Sequence, residues 1–320
     1  METAEKFGQM FIAIAIFVAI MGIVLFIADR ARGKSADRAA ALAFLAPAFI
    51  LLAVGLVYPA IVTIFDSFRN ENSTAFVGLA NYVDIFTEPT LLVVLRNTFL
   101  WVLIVPIAST FFGLIYAVLV DRARAEAVAK SLIFLPMAIS LVGASIIWKF
   151  MYDYRPEGRP QIGLLNQLLV WIGLDPQQFL LFSPQNTLWL IVVMVWIQAG
   201  FAMTVLSAAI KAIPDDIVEA ARLDGVYGLK MFRYVTVPSI RPALIVVLTT
   251  IGIATLKIFD IVRTMTGGQF DTSVAALEFY NQSFRYFNSG LGSALAVIIF
   301  ILVVPIVAYN VRQLRKADAR

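Results

Sequence analysis

The sequence predicts an all-α, polytopic membrane protein of about seven transmembrane helices, its N-terminus outside and its C-terminus in the cytoplasm. The first observation is composition. Of 320 residues, 61% are hydrophobic and 14% charged, where a soluble domain carries roughly 25% charged residues. The second is distribution: apolar runs recur along the whole chain, giving a mean hydropathy of +0.87, so one membrane domain accounts for the length better than two soluble ones. The third is periodicity. The runs lack the alternation of barrel strands, and lipid tolerates only helices or closed barrels because it satisfies no free backbone group.

A hydrocarbon core of about 30 Å takes roughly 20 helical residues. Seven stretches reach that length: Met10–Ala28, Ala39–Phe65, Leu95–Val120, Ser131–Tyr152, Thr187–Ala209, Arg241–Phe259 and Leu291–Tyr309. The first is a retained anchor rather than a cleaved leader. One lysine against two glutamates precedes it in "METAEKFGQ", and the basic cluster follows it, the reverse of a signal peptide. Residues 1–38 thus form an anchor helix and basic loop, and 39–92 a second helix with an external loop. Arg30, Arg32, Lys34 and Arg38 follow the first span; Arg122, Arg124 and Lys130 follow the third. Lys211, Arg222, Lys230, Arg233 and Arg241 follow the fifth; Arg312, Arg315, Lys316 and Arg320 follow the seventh. These alternate segments hold most of the basic residues, so the positive-inside rule places them in the cytoplasm, with 312–320 as a cytoplasmic tail.

Two segments on the opposite face are more than connectors. Asp153–Asn186 contains "IGLLNQLLVWIGL", an apolar stretch of helical period that lies against the membrane surface or the body of the protein. Ile261–Gly290 contains "MTGGQFDTS" and "FYNQSFRYFNSG", which read either as a turn with an interfacial aromatic belt or as a docking surface for an external partner.

The chain has no cysteine and no histidine. That removes thiol catalysis, disulfides, the commonest general base and the commonest metal ligands; no catalytic residue, metal or cofactor is expected on it. "ADRARGKS", Ala28–Ser35, loosely fits a phosphate loop, but a membrane helix precedes it where a strand is needed and only one glycine is present. Its basic residues are explained by topology, and the net charge of +4 carries no nucleic-acid signal. No acid lies near the centre of a span; only Lys257 and Asp260 sit near the end of the sixth. Ion-driven carriers keep ionisable groups in the membrane as relays, so the energy for any transport comes from elsewhere.

The longest polar interruption of the second half is "PDDIVEAARLDGVYGLKMFRYVTVP", residues 214–238. Pro214 suits the first turn of a helix, and Asp215 and Asp216 complement its dipole. Gly225 is placed as a stop in the left-handed conformation. A second short helix, about Leu229–Tyr234, follows, and Pro238 ends it before the next span. The product is a helix–turn–helix elbow at the cytoplasmic face.

Glu219-Ala220-Ala221, three residues, Gly225, nine residues and Val235-x-Val237-Pro238 resemble the EAA loop of permease subunits in binding-protein-dependent ATP-binding-cassette (ABC) importers. The family pattern ends in Ile-x-Leu-Pro, so two valines are the only departures. "SAAIKAIP", "FVGLANYVDIF" and "KIFDIVRTMTGGQFDTS" resemble segments of its carbohydrate branch. The resemblance covers about 93–311 and implies a type I ABC importer permease core, with the EAA loop at 211–238, in the bacterial cytoplasmic (inner) membrane. It further implies that Glu219, Ala220, Ala221, Asp224 and Gly225 seat in a cleft of a separate ABC ATPase dimer, which carries ATP and Mg. A second permease subunit, an external solute-binding protein, a sugar substrate and membrane lipid complete the expected partners.

Solutes cross near the midplane where polar groups face inward. The candidates are Trp196, Gln198 and Thr204 in the fifth span, Thr249, Thr250 and Thr255 in the sixth, and Asn97, Thr98, Ser109 and Thr110 in the third. Gln198 leads, since amides and aromatics suit sugars; the competing role for the hydroxyls is helix–helix packing. The rivals are a stand-alone carrier or channel, a membrane scaffold or sensor, and an importer of another solute such as glycerol phosphate or a polyol.

Overall fold

The computed structural model describes residues 36–121, 124–156 and 158–318, together with Ile12, Ala15, residues 18–24 and Phe26. About half of the expected first span, most of the basic loop after it and the whole of the loose phosphate-loop match at Ala28–Ser35 therefore lie outside the described residues. Among the described residues there is no strand, only an isolated bridge between Arg69 and Phe76. Among the described residues, four helices are long and apolar enough to cross a membrane: Phe44–Asp66, Pro89–Val120, Gln185–Lys211 and Ser289–Arg312. Two bent helix pairs also meet that criterion.

The chain divides into two units, Met1–Phe65 and Asp66–Arg320. In the first, α1 (Ala36–Leu52) passes through a single wide π turn, Ala53–Val57, into α2 (Tyr58–Asp66), which carries the chain across the unit boundary. Pro47 sits inside α1, as membrane helices allow when neighbours satisfy the freed carbonyl.

The second unit is built on two helices. After α3 (Ala80–Thr87), α4 (Pro89–Val120) runs for 32 residues, about 48 Å at 1.5 Å per residue. It packs along α8 (Gln185–Lys211). Small residues set the approach: a Cβ on Gly113 would stand 2.4 Å from the Ala202 Cβ and 2.8 Å from the Met203 nitrogen, so only glycine admits this crossing. Between them in sequence come α5 (Glu126–Phe134), α6 (Leu141–Met151) and α7 (Leu164–Trp171). After α8 follow α9 (Asp215–Leu223), α10 (Leu229–Ser239), α11 (Arg241–Leu256), α12 (Asp260–Met265), α13 (Ala275–Tyr280) and α14 (Ser289–Asp318). α11 packs on α4, α14 on α11 and α13, and α12 on α6. The core holds Trp101, Leu190, Met203, Ile251, Ile261 and Leu277. In the hydropathic window of α8, 61% of residues are buried, against 22% in α14; α8 is the central pillar.

Three expectations need correction. Ser131–Tyr152 is not one straight span. A tight turn at Leu135–Ala138 bends α5 and α6 by 100°, because Pro136 supplies no N–H and Ser140 starts a new helix by accepting from the Gly143 N–H at 3.0 Å. The second elbow helix does not stop near Tyr234. It continues to Ser239 through a π turn, Phe232–Thr236, in which the Val237 N–H reaches back to the Phe232 carbonyl. This widened turn makes room for the Pro238 ring, and the break falls at Ile240 with a 69° bend into α11. Ile261–Gly290 is more than a turn with an aromatic belt: α12, α13 and a π turn at Asn281–Arg285 occupy it, with Phe284, Tyr286 and Phe287 exposed.

Candidate functional site

The elbow hangs from the end of α8. Pro214 precedes α9, Asp215 and Asp216 occupy its first turn and Arg222 its last, charges matched to the dipole at both ends. The helix closes with Val226 N–H donating to the Ala221 carbonyl at 2.9 Å and Gly225 N–H to Arg222 at 3.0 Å. Gly225 has φ +76°, the left-handed stop expected of it. A second left-handed glycine, Gly228 at φ +55°, opens α10; the sequence reading missed it, although the three-residue spacing was its signal. Glu219, Ala220, Asp224 and Gly225 are exposed and Ala221 is half-buried. Beside them the elbow presents Leu223 at 89%, Leu229 at 80% and Tyr227 at 64% exposure. Large apolar side chains this open mark a surface that another protein or lipid covers.

The foot of the elbow carries a charge lattice the sequence reading did not single out. The Lys130 ammonium contacts Asp121 Oδ1 at 2.5 Å and Glu126 Oε1 at 2.8 Å, and donates to Ser207 Oγ. Ser207 Oγ donates to Asp121 Oδ1 at 2.6 Å, and Lys211 Nζ pairs with Glu126 Oε1. Hydrogen bonds from Lys130 and then Lys211 hold the Glu126 carboxyl below its ordinary value. Partial burial disfavours the Lys130 charge, yet hydrogen bonds to Asp121 and Glu126 outweigh it and raise the pKa. The available signal was the i, i+4 spacing of Glu126 with Lys130 and of Ser207 with Lys211. Beside the lattice, a cavity of about 550 Å³ separates α4 from α10, lined by Leu114, Val118, Ile210, Leu229 and Phe232 among others.

The membrane candidates do not form one cluster. Gln198 is half-buried and, among the described residues, its amide has no hydrogen bond. Trp196 stacks edge-on against Trp148, ring centroids 5.6 Å apart. Thr204 is exposed and bonds the Gly200 carbonyl at 2.9 Å. Thr249 is buried, bonds the Ile245 carbonyl at 2.8 Å and accepts from Asn310, while Thr250 on the same helix is exposed. Thr255 is buried and bonds Ile251. Asn97 has other work. It is fully buried, and its amide donates to the carbonyls of Asp271 at 2.6 Å and Ser273 at 3.0 Å, leaving no donor for a solute. Thr98 Oγ1 accepts from the Ala275 N–H. Ser109 and Thr110 are buried hydroxyls without a partner among the described residues, sites for a polar visitor or a bound water. No group of three or more acidic side chains suited to a metal occurs among the described residues.

Comparison with known proteins gives these features a family. The model of the binding-protein-dependent transport system inner membrane component matches residues 90–316. The osmoprotective compounds uptake permease protein GgtC of Synechocystis sp. is 48% identical over 86% of this chain and 99% of its own. The alpha-glucoside transport system permease protein AglF of Rhizobium meliloti is 47% identical over 84% of this chain and 81% of its own. A chain of a bacterial alginate ABC transporter, crystallised with its alginate-pentasaccharide-bound periplasmic protein, superposes with a TM-score of 0.73 over 86% of this chain and 93% of that one. At 21% identity it shares the fold alone. The all-helical architecture, the EAA spacing around Gly225 and the match over 90–316 lead to one conclusion: the chain belongs to the inner membrane component family of binding-protein-dependent transport systems.

Proposed function

We propose that this chain is the membrane-spanning permease subunit of an ATP-driven importer for a sugar or glycoside. It sits in a bacterial cytoplasmic membrane, and its elbow faces the cytoplasm. The observation that carries this reading is the elbow: a glycine-stopped helix with Leu223, Tyr227 and Leu229 exposed around it, following the central pillar α8 after three residues. Full burial of one such side chain contributes about 1.5–3 kcal/mol, whereas an exposed pair made by Glu219 contributes about 0–1 kcal/mol. Shape and apolar burial therefore dominate docking. The small Ala220 and Ala221 let the ATPase approach the helix backbone, and Gly225 turns the chain away before a side chain blocks the cleft. Closure of the ATPase pair on ATP moves the elbow, and α8 passes the motion to α4.

The cargo follows from relatives named for alpha-glucosides and osmoprotective compounds. Half-buried Gln198, whose amide has no hydrogen bond among the described residues, offers the donor and acceptor that a sugar hydroxyl requires. The partners are an ATPase dimer carrying ATP and Mg, a second permease and an external solute-binding protein. The test is uptake of labelled alpha-glucoside into proteoliposomes. Uptake is expected only with all partners and ATP present. Flux through this chain alone without nucleotide would make it a stand-alone carrier, and no flux with every partner present would make it a scaffold.

A further inference from the structure

We propose that Lys130 is a positioning residue for the elbow: the lattice it centres locks the foot of α8 to the ends of α4 and α5, so that a push on α9 moves all three as one body. The inference rests on the ATP-driven permease reading and adds the joint by which force enters the membrane domain.

Chemistry makes Lys130 the hub. Its ammonium has three donors and no acceptor, and it meets three acceptors from three segments: Asp121 just after α4, Glu126 in the first turn of α5 and Ser207 in α8. Lys211 extends the lattice along α8 to Glu126. Two lysines and two carboxylates cancel, so the unit closes on itself without needing an outside counter-ion. It also grades from inside to outside. Side-chain exposure rises from 12% at Asp121 through 25% at Lys130 and 31% at Glu126 to 52% at Lys211. The inner contacts are thus shielded from the water and salt that make exposed pairs weak.

Position gives the lattice its task. Three of its bonds, Lys130 to Ser207, Ser207 to Asp121 and Lys211 to Glu126, join residues 77 to 86 apart in sequence, and these are not what makes α5 or α8 helical. Only residues 212–214 lie between Lys211 and the start of α9, and Pro214 is fixed in φ, so little slack remains between lattice and elbow. On the other limb, the cavity of about 550 Å³ between α4 and α10 removes close packing that would otherwise brace the elbow. Displacing α9 without the lattice would flex α8 against α4; with it, the three ends travel together.

The test uses the complete reconstituted importer, reading labelled alpha-glucoside uptake and ATP hydrolysis in one preparation. K130Q is expected to keep hydrolysing ATP while uptake per ATP falls about fivefold or more, the low end of measured coupling factors. A wild-type ratio in K130Q overturns the proposal. Should K130Q fail to assemble, E126C/K211C decides, since the chain has no other cysteine. Joined by a short thiol–thiol crosslinker, the pair is expected to form equally with and without trapped nucleotide and to return uptake per ATP to the wild-type ratio. A tie that arrests transport, or that forms in only one nucleotide state, shows that these ends move apart in the cycle and overturns the proposal. Absence of nucleotide-dependent uptake in the wild-type complex would instead defeat the permease reading on which the proposal stands.

Discussion

Gly225 illustrates how much a single position can be asked to do. Its φ of +76° costs an L-residue about 1–2 kcal/mol, but a Cβ built there meets nothing within 4 Å. The chain itself has room for a side chain, so any severe effect must come from a partner. Gly225→Ala is expected to lower the thermal midpoint slightly and leave transport measurable. Gly225→Asp is expected to abolish uptake while membrane insertion stays intact, because a carboxylate is then placed in the docking cleft. Wild-type uptake in Gly225→Asp would remove the coupling role assigned to the elbow. The lattice makes a second residue-scale prediction, about pH. Glu126 is held below its ordinary value of 4.5, so its contribution is complete above that pH and fades as pH falls through the lower folded value. Lys130 is raised above 10.5, so its contribution is complete below that pH and fades only as pH rises through the higher folded value. The stability difference between wild type and K130Q should therefore be flat between about pH 6 and 9; a slope there, read from thermal unfolding midpoints, would mean that other groups control the joint.

At the level of elements, the crossing of α8 with α5 is as tight as that with α4. A Cβ on Gly200 would stand 2.5 Å from the Ile133 carbonyl oxygen and 3.1 Å from the Phe134 Cα, backbone atoms that cannot rotate aside. Gly200→Val should destabilise the membrane domain by about 1–3 kcal/mol, as overpacking does, and separate α5 from the pillar; an unchanged thermal midpoint would show that the crossing is loose. These contacts also mark where sequence reading stopped. The long spans were legible because twenty apolar residues admit one interpretation, and the helix stop at Gly225 because only glycine takes that conformation freely. The broken span was misread although Pro136 and Ser140 were in view, since hydropathy reports burial and not direction. Pro238 misled in the opposite sense: a π turn absorbed it. The lattice stayed hidden because its bonds join distant segments. Asn97, a solute candidate by its polarity, also bonds the carbonyls of Asp271 and Ser273, and no local pattern separates those two uses.

Across the whole second unit, α4 and α8 form a beam fastened at both ends. At the elbow end, Ser207 of α8 bonds Asp121 just beyond α4, and at the crossing Gly113 lies against Ala202. At the far end, Asn97 of α4 and Asn186 of α8 hold one turn from both sides, donating to the carbonyls of Asp271 and Ser273 and of Phe270. Phe270 and Asp271 are non-glycine residues at φ +57° and +58°, each a strain of about 1–3 kcal/mol that persists only while its surroundings impose it. The buried amides impose it, so the turn is a preset shape presented by the two helices that also carry the elbow. Under the proposed orientation it faces the external solute-binding protein, with Phe270 exposed. Replacing both amides, Asn97→Ala with Asn186→Ala, removes these donors, each bond being a net contribution of about 0.5–1.5 kcal/mol, and lets the turn relax. Basal ATP hydrolysis by the reconstituted complex should persist, because the elbow end is untouched, while its stimulation by the sugar-loaded binding protein should fall about tenfold, the factor that 1.4 kcal/mol of lost coupling represents. Equal loss of basal and stimulated hydrolysis would show that the amides serve only to hold the fold together, and the beam would then have no signalling end.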